Sequence, residues 1–217
     1  MTAPLGISLE RDAALLRLRL NRPKANIVDA EMIAALTVAL ADHAGSNHLK
    51  AVLLSAEGPH FSFGASVEEH LPQSCAAMLS SLHALVAAML NYPVTILVAI
   101  EGQCLGGGLE VAMAGHQLFA SPKANLGQPE MMLGVFAPAA SCLMPDRIGQ
   151  ARAEDLLLSG RSVTGAEAAR MGLVDHLDDV PEAAALAYFD EHLAGKSASS
   201  LRFAVRGVRA PYVARMI

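Results

Sequence analysis

The residues VTILVAIEGQCLGGGLE, at positions 94–110, carry the clearest signal of how the chain folds. Its first part, Val94 to Ile100, is a short continuous apolar run, which is typical of a strand buried on both faces. A glycine-rich turn at 105–108 follows, and the apolar residues from Leu109 to Ala114 have helical character. The pattern predicts a buried strand, a tight turn and a helix, which is a unit of α/β proteins.

Strand-like and helical segments alternate on both sides of this unit. In residues 13–20, AALLRLRL, leucine and arginine alternate at the period of two that marks a strand. Asp29 stands where an N-cap is expected, directly before AEMIAALTVALADHA, whose apolar residues recur at helical spacing. The other segments predicted in this way are strands over 50–55 and 117–121, a helix over about 76–90, and helical segments from the loop after residue 121 to about residue 195.

This alternation predicts an α/β architecture. We expect residues 1–150 to form a mixed core that carries the functional site, and residues 151–217 to form a mainly helical C-terminal region. With 217 residues the chain is long enough to bury a substantial core.

Composition narrows the classes of function. A net charge of -5 and a pI near 5.9 argue against nucleic acid as the main partner, because phosphate binding needs a basic face. The mean hydropathy of +0.37 is high, yet the most apolar run is far too short to cross a bilayer. The N-terminus has no basic segment followed by an apolar one, and the three cysteines form no CxxC pair. A reducing cytoplasm is therefore the expected location.

The glycine turn is a candidate anion site. The first amides of a helix have no partner inside the helix and carry the positive end of its dipole. Glycines there let a ligand oxygen approach the backbone, either a phosphate or the negative oxygen that develops on a thioester carbonyl. The spacing is neither G-x-G-x-x-G nor a Walker motif, which weakens a nucleotide interpretation. A plain packing turn between helix and strand is the alternative.

Two glutamates are candidates for acid–base chemistry. Glu110 lies three residues after Gly107, so on a helix it projects near the same turn. Glu130 follows in GQPE, between a turn and an apolar run. A carboxylate in apolar surroundings has a raised pKa, and two of them can bracket one water, one as base and one as acid. The alternative is that both are solvated surface charges.

Other groups of polar residues are weaker candidates for a functional site. Ser66 and His70 are four residues apart, but no G-x-S-x-G surrounds the serine. Glu68, Glu69 and His70 suggest a metal, yet HExxH spacing and a cysteine pair are both missing from the sequence. We expect a charged loop there and no metal site.

Four motifs together resemble the crotonase (enoyl-CoA hydratase) superfamily. FSFGASVEEH at 61–70, GGGLE at 106–110 and GQPE at 127–130 are similar to its three signature blocks, in order and at matching separations. RPKAN at 22–26 is similar to its coenzyme A loop, so the resemblance covers nearly the whole chain. It implies a spiral of ββα units with a helical C-terminal region, assembled as a homotrimer or a dimer of trimers.

The resemblance also implies roles for single residues. The backbone N–H groups of Ala65 and Gly107 would form the oxyanion hole for an acyl-CoA substrate. Glu110 and Glu130 would be the acid–base pair of a hydratase. Since coenzyme A is part of the substrate, neither another cofactor nor a metal is expected. The positions that would line the coenzyme A and acyl groove are Lys24, Ala25, Ser66, Phe136 and Pro138.

The chain departs from the family pattern at several points. Ser66 replaces a common aspartate, which alters contacts around the coenzyme. Pro138 stands where a glycine amide usually helps hold the water, and proline has no N–H to donate. Water must then be held differently, or the pocket suits another acyl group. The chain also ends at Ile217, several tens of residues short of typical members, so we expect a truncated form.

The segments that depart from the family pattern are most similar to those of superfamily members that hydrate cyclic conjugated dienoyl-CoA thioesters in anaerobic aromatic degradation. A ring is wider than a straight chain, and residues 136–139 (FAPA) offer a rigid apolar wall. A straight-chain enoyl-CoA hydratase or isomerase is the nearest alternative. An acyl-CoA-binding protein without turnover is the alternative from another class.

Overall fold

The computed structural model describes the backbone of residues 3–66 and 75–216, and side chains as far as residue 213. Two sheets form its centre. The strands are β1 Leu5–Glu10, β2 Leu15–Leu20, β3 Ala51–Ala56, β4 Thr95–Ile100, β5 Gln103–Leu105, β6 Gln117–Ala120, β7 Asn125–Gly127, β8 Ser162–Thr164 and β9 His176–Leu177.

Helices connect and cover these strands. A 3-10 helix over Pro129–Leu133 follows β7, and a π-helical turn over Phe189–Leu193 follows the seventh α-helix. The α-helices are α1 Ala30–Ala44, α2 Cys75–Leu90, α3 Gly107–Met113, α4 Pro138–Ile148, α5 Gln150–Ser159, α6 Gly165–Met171, α7 Pro181–Tyr188 and α8 Ala198–Met216.

The larger sheet has the strand order β1-β2-β3-β4-β6-β9. Only the β1–β2 hairpin is antiparallel, and each of the other neighbouring pairs is parallel. The smaller sheet has the order β5-β7-β8, with β5 and β7 parallel. Strands alternating with helices thus give the predicted α/β architecture.

Both faces of the larger sheet are covered. Helices α1, α2 and α3 pack on one face and form the main core, to which Leu36, Leu85 and Val98 belong. On the other face, Phe119 of β6 packs in a second cluster with Phe189 from the turn after α7. Burial on both sides explains why β3 and β4 read as continuous apolar runs.

Several sequence predictions agree closely with the structure. Helix α1 covers the predicted residues, and Asp29 is its N-cap, accepting a hydrogen bond of 3.0 Å from the Met32 N–H. In β2 the leucines are buried, whereas Arg17 and Arg19 lie half-buried and both pair with Glu182.

Five short or peripheral strands were not predicted: β1, β5, β7, β8 and β9. The last four have only two or three residues each, too few to show a period. Strand β8 belongs to the smaller sheet and β9 to the larger one, and both come after residue 150. Both sheets therefore extend beyond the predicted core segment. The chain is mainly helical from Pro181 onward, and the division at residue 150 stays a prediction.

The high hydropathy belongs to this core. Among the described residues, no helix combines the length and hydropathy that crossing a bilayer requires.

Candidate active site

Residues 61–66, from the first signature motif, form the central segment of the candidate site. On one side this segment pairs with β5, where the Leu105 N–H donates to the Ser62 carbonyl at 3.0 Å. On its other side the Phe63 N–H donates to the Ala25 carbonyl at 2.9 Å. Three of the four sequence motifs therefore lie side by side.

The two predicted oxyanion amides belong to adjoining backbones. The Val28 N–H donates to the Gly64 carbonyl at 2.9 Å, and in a trans peptide the following Ala65 N–H points the opposite way, away from Val28. Gly107 is the first residue of α3, so its N–H has no acceptor within the helix. A Cβ added to Gly107 would lie 3.3 Å from the Ala65 nitrogen, which shows how closely the two backbones approach.

Gly106 allows the glycine turn to lie directly against the side chain of Glu130. Its φ of +50° is in the region that favours glycine. A Cβ at this position would lie 2.5 Å from Oε1 of Glu130, closer than two such atoms can approach. The carboxylate of Glu130 therefore packs directly on the glycine turn, one residue from Gly107.

Glu110 is held by the start of another helix. Its side chain is only 2% exposed, and Oε1 accepts a hydrogen bond of 2.9 Å from the Ala140 N–H. Ala140 is the third residue of α4, where amides without intrahelical acceptors and the helix dipole favour a negative charge. Pro138 is the first residue of α4, a position where the absence of an N–H costs nothing.

Glu130 lies on the 3-10 helix after β7. Burial raises the pKa of the Glu130 carboxyl above its ordinary value, and a hydrogen bond from its own backbone N–H opposes part of that rise. The carboxyl is thus easier to protonate than that of an exposed glutamate, which suits a general acid.

Gln128 contacts Glu130 and was missed by sequence reasoning. It is 1% exposed, and the orientation of its amide that satisfies both groups places Nε2 2.9 Å from Oε2 and 3.1 Å from Oε1 of Glu130. An amide has a donor end and an acceptor end, so by turning over it can partner either the ionised or the protonated carboxyl. The signal available in the sequence was the polar residue two positions before the glutamate in GQPE.

The two glutamates and the two amides meet at one small cavity. Ala65, Gly107, Glu110 and Glu130 all line it, and its volume of about 10 Å³ suits a single water molecule. Apolar side chains close it: Met78, Leu79 and Leu82 of α2 on one side, and Phe136, Ala137 and Pro138 on the other. A water placed here would be shielded from solvent between two carboxylates.

A wider apolar cavity adjoins the small one. Its volume is about 340 Å³, within the range of small-molecule sites, and it shares Ala65 and Glu130 with the small cavity. Phe63, Leu133 and Val135 supply its apolar wall. The arrangement offers a large apolar compartment that opens onto an acid–base pair.

The loop predicted to bind coenzyme A borders this region. Lys24 is exposed on it, and the Ala25 carbonyl joins it to the segment at 61–66. Buried Asn26 anchors the loop by donating to the carbonyls of Glu57 and His60, each at 2.9 Å. This anchor was also missed, because an asparagine in a loop is equally typical of a turn.

The remaining predicted residues are placed as follows. Phe136 is 64% exposed, and both it and Pro138 line the small cavity, as the proposed apolar wall requires. Ser66 is half-buried beside Ala65. Residues 68–70, and with them the serine–histidine and metal alternatives, lie outside the described residues. Within the described part of the chain, no group of three His, Cys, Asp or Glu side chains could hold a metal ion.

Comparisons with known proteins agree with this geometry. The model of the enoyl-CoA hydratase/isomerase family matches residues 10–215. The chain is 67% identical to the cyclohexa-1,5-dienecarbonyl-CoA hydratase of Thauera aromatica, over 99% of this chain and 83% of that protein. It is 31% identical to a probable enoyl-CoA hydratase of Bacillus subtilis, over 83% of this chain and 74% of the relative. The crystal structure of an enoyl-CoA hydratase from Thermoplasma volcanium superposes with a TM-score of 0.88 at 26% identity, over 97% of this chain and 85% of the other.

Proposed function

The chain belongs to the enoyl-CoA hydratase/isomerase family and has the crotonase fold, and from this premise we propose that it hydrates cyclohexa-1,5-dienecarbonyl-CoA in the degradation of aromatic compounds. The observation that carries the hydratase assignment is the water-sized cavity lined by both Glu110 and Glu130. The choice of a cyclic substrate is supported by the 67% identity to the Thauera aromatica enzyme.

The substrate binds with its thioester oxygen at the N–H groups of Ala65 and Gly107. These donors stabilise the negative charge that develops on that oxygen when a nucleophile adds to the conjugated system. The ring occupies the apolar cavity of about 340 Å³, and Phe136 and Pro138 lie at its inner end. Coenzyme A follows the loop of Lys24 and Ala25, where the lysine ammonium meets a phosphate.

Water adds in two steps. Glu110 takes a proton from the water, whose oxygen bonds to the ring carbon next to the thioester-bearing carbon. The electron pair of the broken double bond moves toward the thioester and gives an extended dienolate. Glu130 then delivers its proton to the far carbon of the dienolate, which leaves one double bond conjugated with the thioester. The site ends with Glu110 protonated and Glu130 ionised.

The charge assignment follows from the surroundings of each carboxyl. The Ala140 N–H and the start of α4 favour the ionised form of Glu110, so it acts as the base. The burial of Glu130 favours its protonated form, so it acts as the acid. Because Pro138 offers no N–H, the water is held by the two carboxyls, and the amide that α4 still provides at residue 140 binds the base.

The direct test is loss of ultraviolet absorbance of the conjugated thioester. Purified protein is mixed with cyclohexa-1,5-dienecarbonyl-CoA or with crotonyl-CoA. We expect turnover of the cyclic diene with little turnover of crotonyl-CoA. Preference for crotonyl-CoA would replace the proposal with a straight-chain hydratase, and binding of both without turnover would leave a non-catalytic acyl-CoA-binding protein.

The position of the incoming proton tests the mechanism. In heavy water, deuterium should enter the far ring carbon. Label only on the thioester-bearing ring carbon itself would contradict the extended dienolate and would indicate ordinary addition across one double bond.

We also propose that the protein is cytoplasmic, that it assembles as a homotrimer or a dimer of trimers, and that water addition needs no metal or further cofactor. Base, acid and oxyanion site are all supplied by the chain. Light scattering on a size-exclusion column would measure the assembly, and dialysis against a chelator should leave turnover unchanged. Monomers, or loss of turnover restored by one metal, would overturn the respective statement.

A further inference from the structure

A second large cavity lies far from the candidate active site. It has a volume of about 500 Å³ and runs between the end of α2 and the middle of α8. Helix α2 lines the small cavity at Met78, Leu79 and Leu82, and it lines this groove at Leu90. Eight residues of helix, about 12 Å, separate Leu82 from Leu90, and the two cavities share no residue, so the groove is a separate site.

The walls of the groove are apolar, and its charges are all positive. Leu90 and Pro93 line one side, and Val205 and Val213 line the other. The charged residues in the lining are Arg202, Arg206 and Arg209, which share one face of α8 by their spacing of four and three residues. No acidic residue is among the described residues that line the groove.

In the part of the chain that the structure describes, these three arginines have no carboxylate at ion-pair distance, although Asp175 lies near enough to Arg209 to favour its charged form. Across the described residues, none of the three forms an ion pair with a carboxylate. A guanidinium group that is partly removed from water without a counter-ion is energetically unfavourable. This is unusual in a chain whose net charge is -5.

Two of the guanidinium groups are fixed in place and still have N–H groups to offer. Arg202 donates to the carbonyls of Ala44, at 3.1 Å, and Ser46, while its buried Nε has no acceptor in the described structure. Arg209 is 7% exposed and donates to the Gly115 carbonyl at 2.5 Å. Each guanidinium has five N–H donors, so most of them remain available.

Burial and the nearby Arg147 lower the pKa of Arg209 to about 10, which still leaves it positive at neutral pH. An anion in the groove would offset both the burial and the repulsion. Arg209 therefore keeps, at neutral pH, the positive charge that binding of an anion requires.

We propose that this groove binds a small organic carboxylate, with the carboxylate among Arg202, Arg206 and Arg209 and its apolar body between the walls. Guanidinium groups pair with carboxylates through two parallel hydrogen bonds. The apolar walls favour a hydrocarbon ring or short chain over a bare inorganic anion. A volume of about 500 Å³ admits such a molecule with room to spare.

Isothermal titration calorimetry with three probes tests the proposal. Benzoate has the charge and an apolar body, benzamide has the body without the charge, and inorganic phosphate has charge alone. We expect benzoate to bind at one site per chain, with benzamide and phosphate at least about tenfold weaker, because hydrogen bonds to charged groups and apolar contact each contribute. Absence of benzoate binding, or equal binding of either other probe, would overturn the proposal.

A matched pair of variants locates the bound anion. Arg206 is exposed, and its side chain makes no hydrogen bond within the part of the chain that the structure describes, so Arg206→Gln should fold normally and weaken benzoate binding by about tenfold or more. Arg170→Gln removes an equally exposed charge on α6 and should bind benzoate like the native protein. Turnover of the acyl-CoA substrate should be unchanged in both. Equal benzoate affinity in the two variants would place the probe elsewhere and overturn the proposal.

Discussion

The backbone N–H of Ala140 donates a hydrogen bond of 2.9 Å to Oε1 of Glu110, which lies thirty residues earlier in the chain. The bond joins the first turn of α4 to the first turn of α3 across the small cavity. A main-chain donor thus fixes the proposed base, while the neighbouring Pro138 offers none.

Replacing that donor tests its contribution. Ala140→Pro deletes the N–H within the first turn of α4, and we expect kcat to fall by about 10- to 100-fold, since a hydrogen bond to a charged group contributes about 1.5–3 kcal/mol. Ala139→Pro makes the same kind of change one residue earlier and is the control for helix strain. Thermal melts would verify that both variants fold. Equal losses of kcat in the two variants would show that the bond to Glu110 is unimportant.

The raised pKa of Glu130 predicts the pH dependence. Hydration uses the protonated carboxyl, so kcat/KM should fall as the pH rises through this raised pKa. Dehydration starts from protonated Glu110 and ionised Glu130, a form with the same total number of protons, so kcat/KM for dehydration should fall over the same pH range. Glu130→Gln should lower the rate by about 10²- to 10⁴-fold and abolish the limb.

The control is Glu191→Gln, which changes an exposed glutamate after α7 and should leave the profile unchanged. A descending limb that persists unaltered in Glu130→Gln would assign the acid to another group.

Gly106→Ala should lower turnover, because the added methyl group would push the Glu130 carboxyl out of position. The new methyl group would lie 2.5 Å from Oε1 of Glu130 and must displace it, and a displacement of about 1 Å in a catalytic group can cost about 10²-fold in rate. The left-handed backbone adds a stability cost of about 1–2 kcal/mol.

Gly149→Ala separates the two effects. Gly149 has a φ of +80°, and a Cβ there has no neighbour within 4 Å. It should lose similar stability by chemical denaturation while keeping its turnover. Comparable activity in both alanine variants would contradict the close packing of Glu130 on the turn.

Gln128→Leu removes the amide partner of Glu130 with little change of volume. The ionised carboxyl loses a donor, so its pKa should rise further and the descending limb of the hydration profile should move to higher pH. We also expect kcat to fall by about tenfold. Gln150→Leu, on the surface of α5, is the control. A loss of kcat with an unmoved limb would indicate a packing role only.

Much of the fold could be predicted because its signals are local. The Asp29 cap precedes an amphipathic helix, and a buried parallel strand such as β4 reads as an unbroken apolar run. Strands of two or three residues gave no such signal. The pairing of β9 with β6 depends on a neighbour that lies more than fifty residues away in the chain.

The sequence predicted the two glutamates of the candidate site and, through the family resemblance, the N–H groups of Ala65 and Gly107, but not the backbone contacts that bring these groups together. The motifs identified Glu110 and Glu130, but their meeting depends on the pairing of β5 with β7, including the bond from the Gly106 N–H to the Gly127 carbonyl. The donor at Ala140 carries no sequence signal, because every residue except proline has the same N–H.

The near-complete burial of Glu110 affects how the two carboxyls return to their starting protonation states. In the proposed mechanism, each hydration leaves the proton taken from water on a carboxyl that is almost fully buried, while Glu130 beside it has lost one. Before the next round that proton has to travel back across the cavity, relayed by the next water that enters. The state left by one hydration is also the starting state for dehydration. The proposed cycle can therefore run in both directions, and the concentrations of substrate and product would select between them.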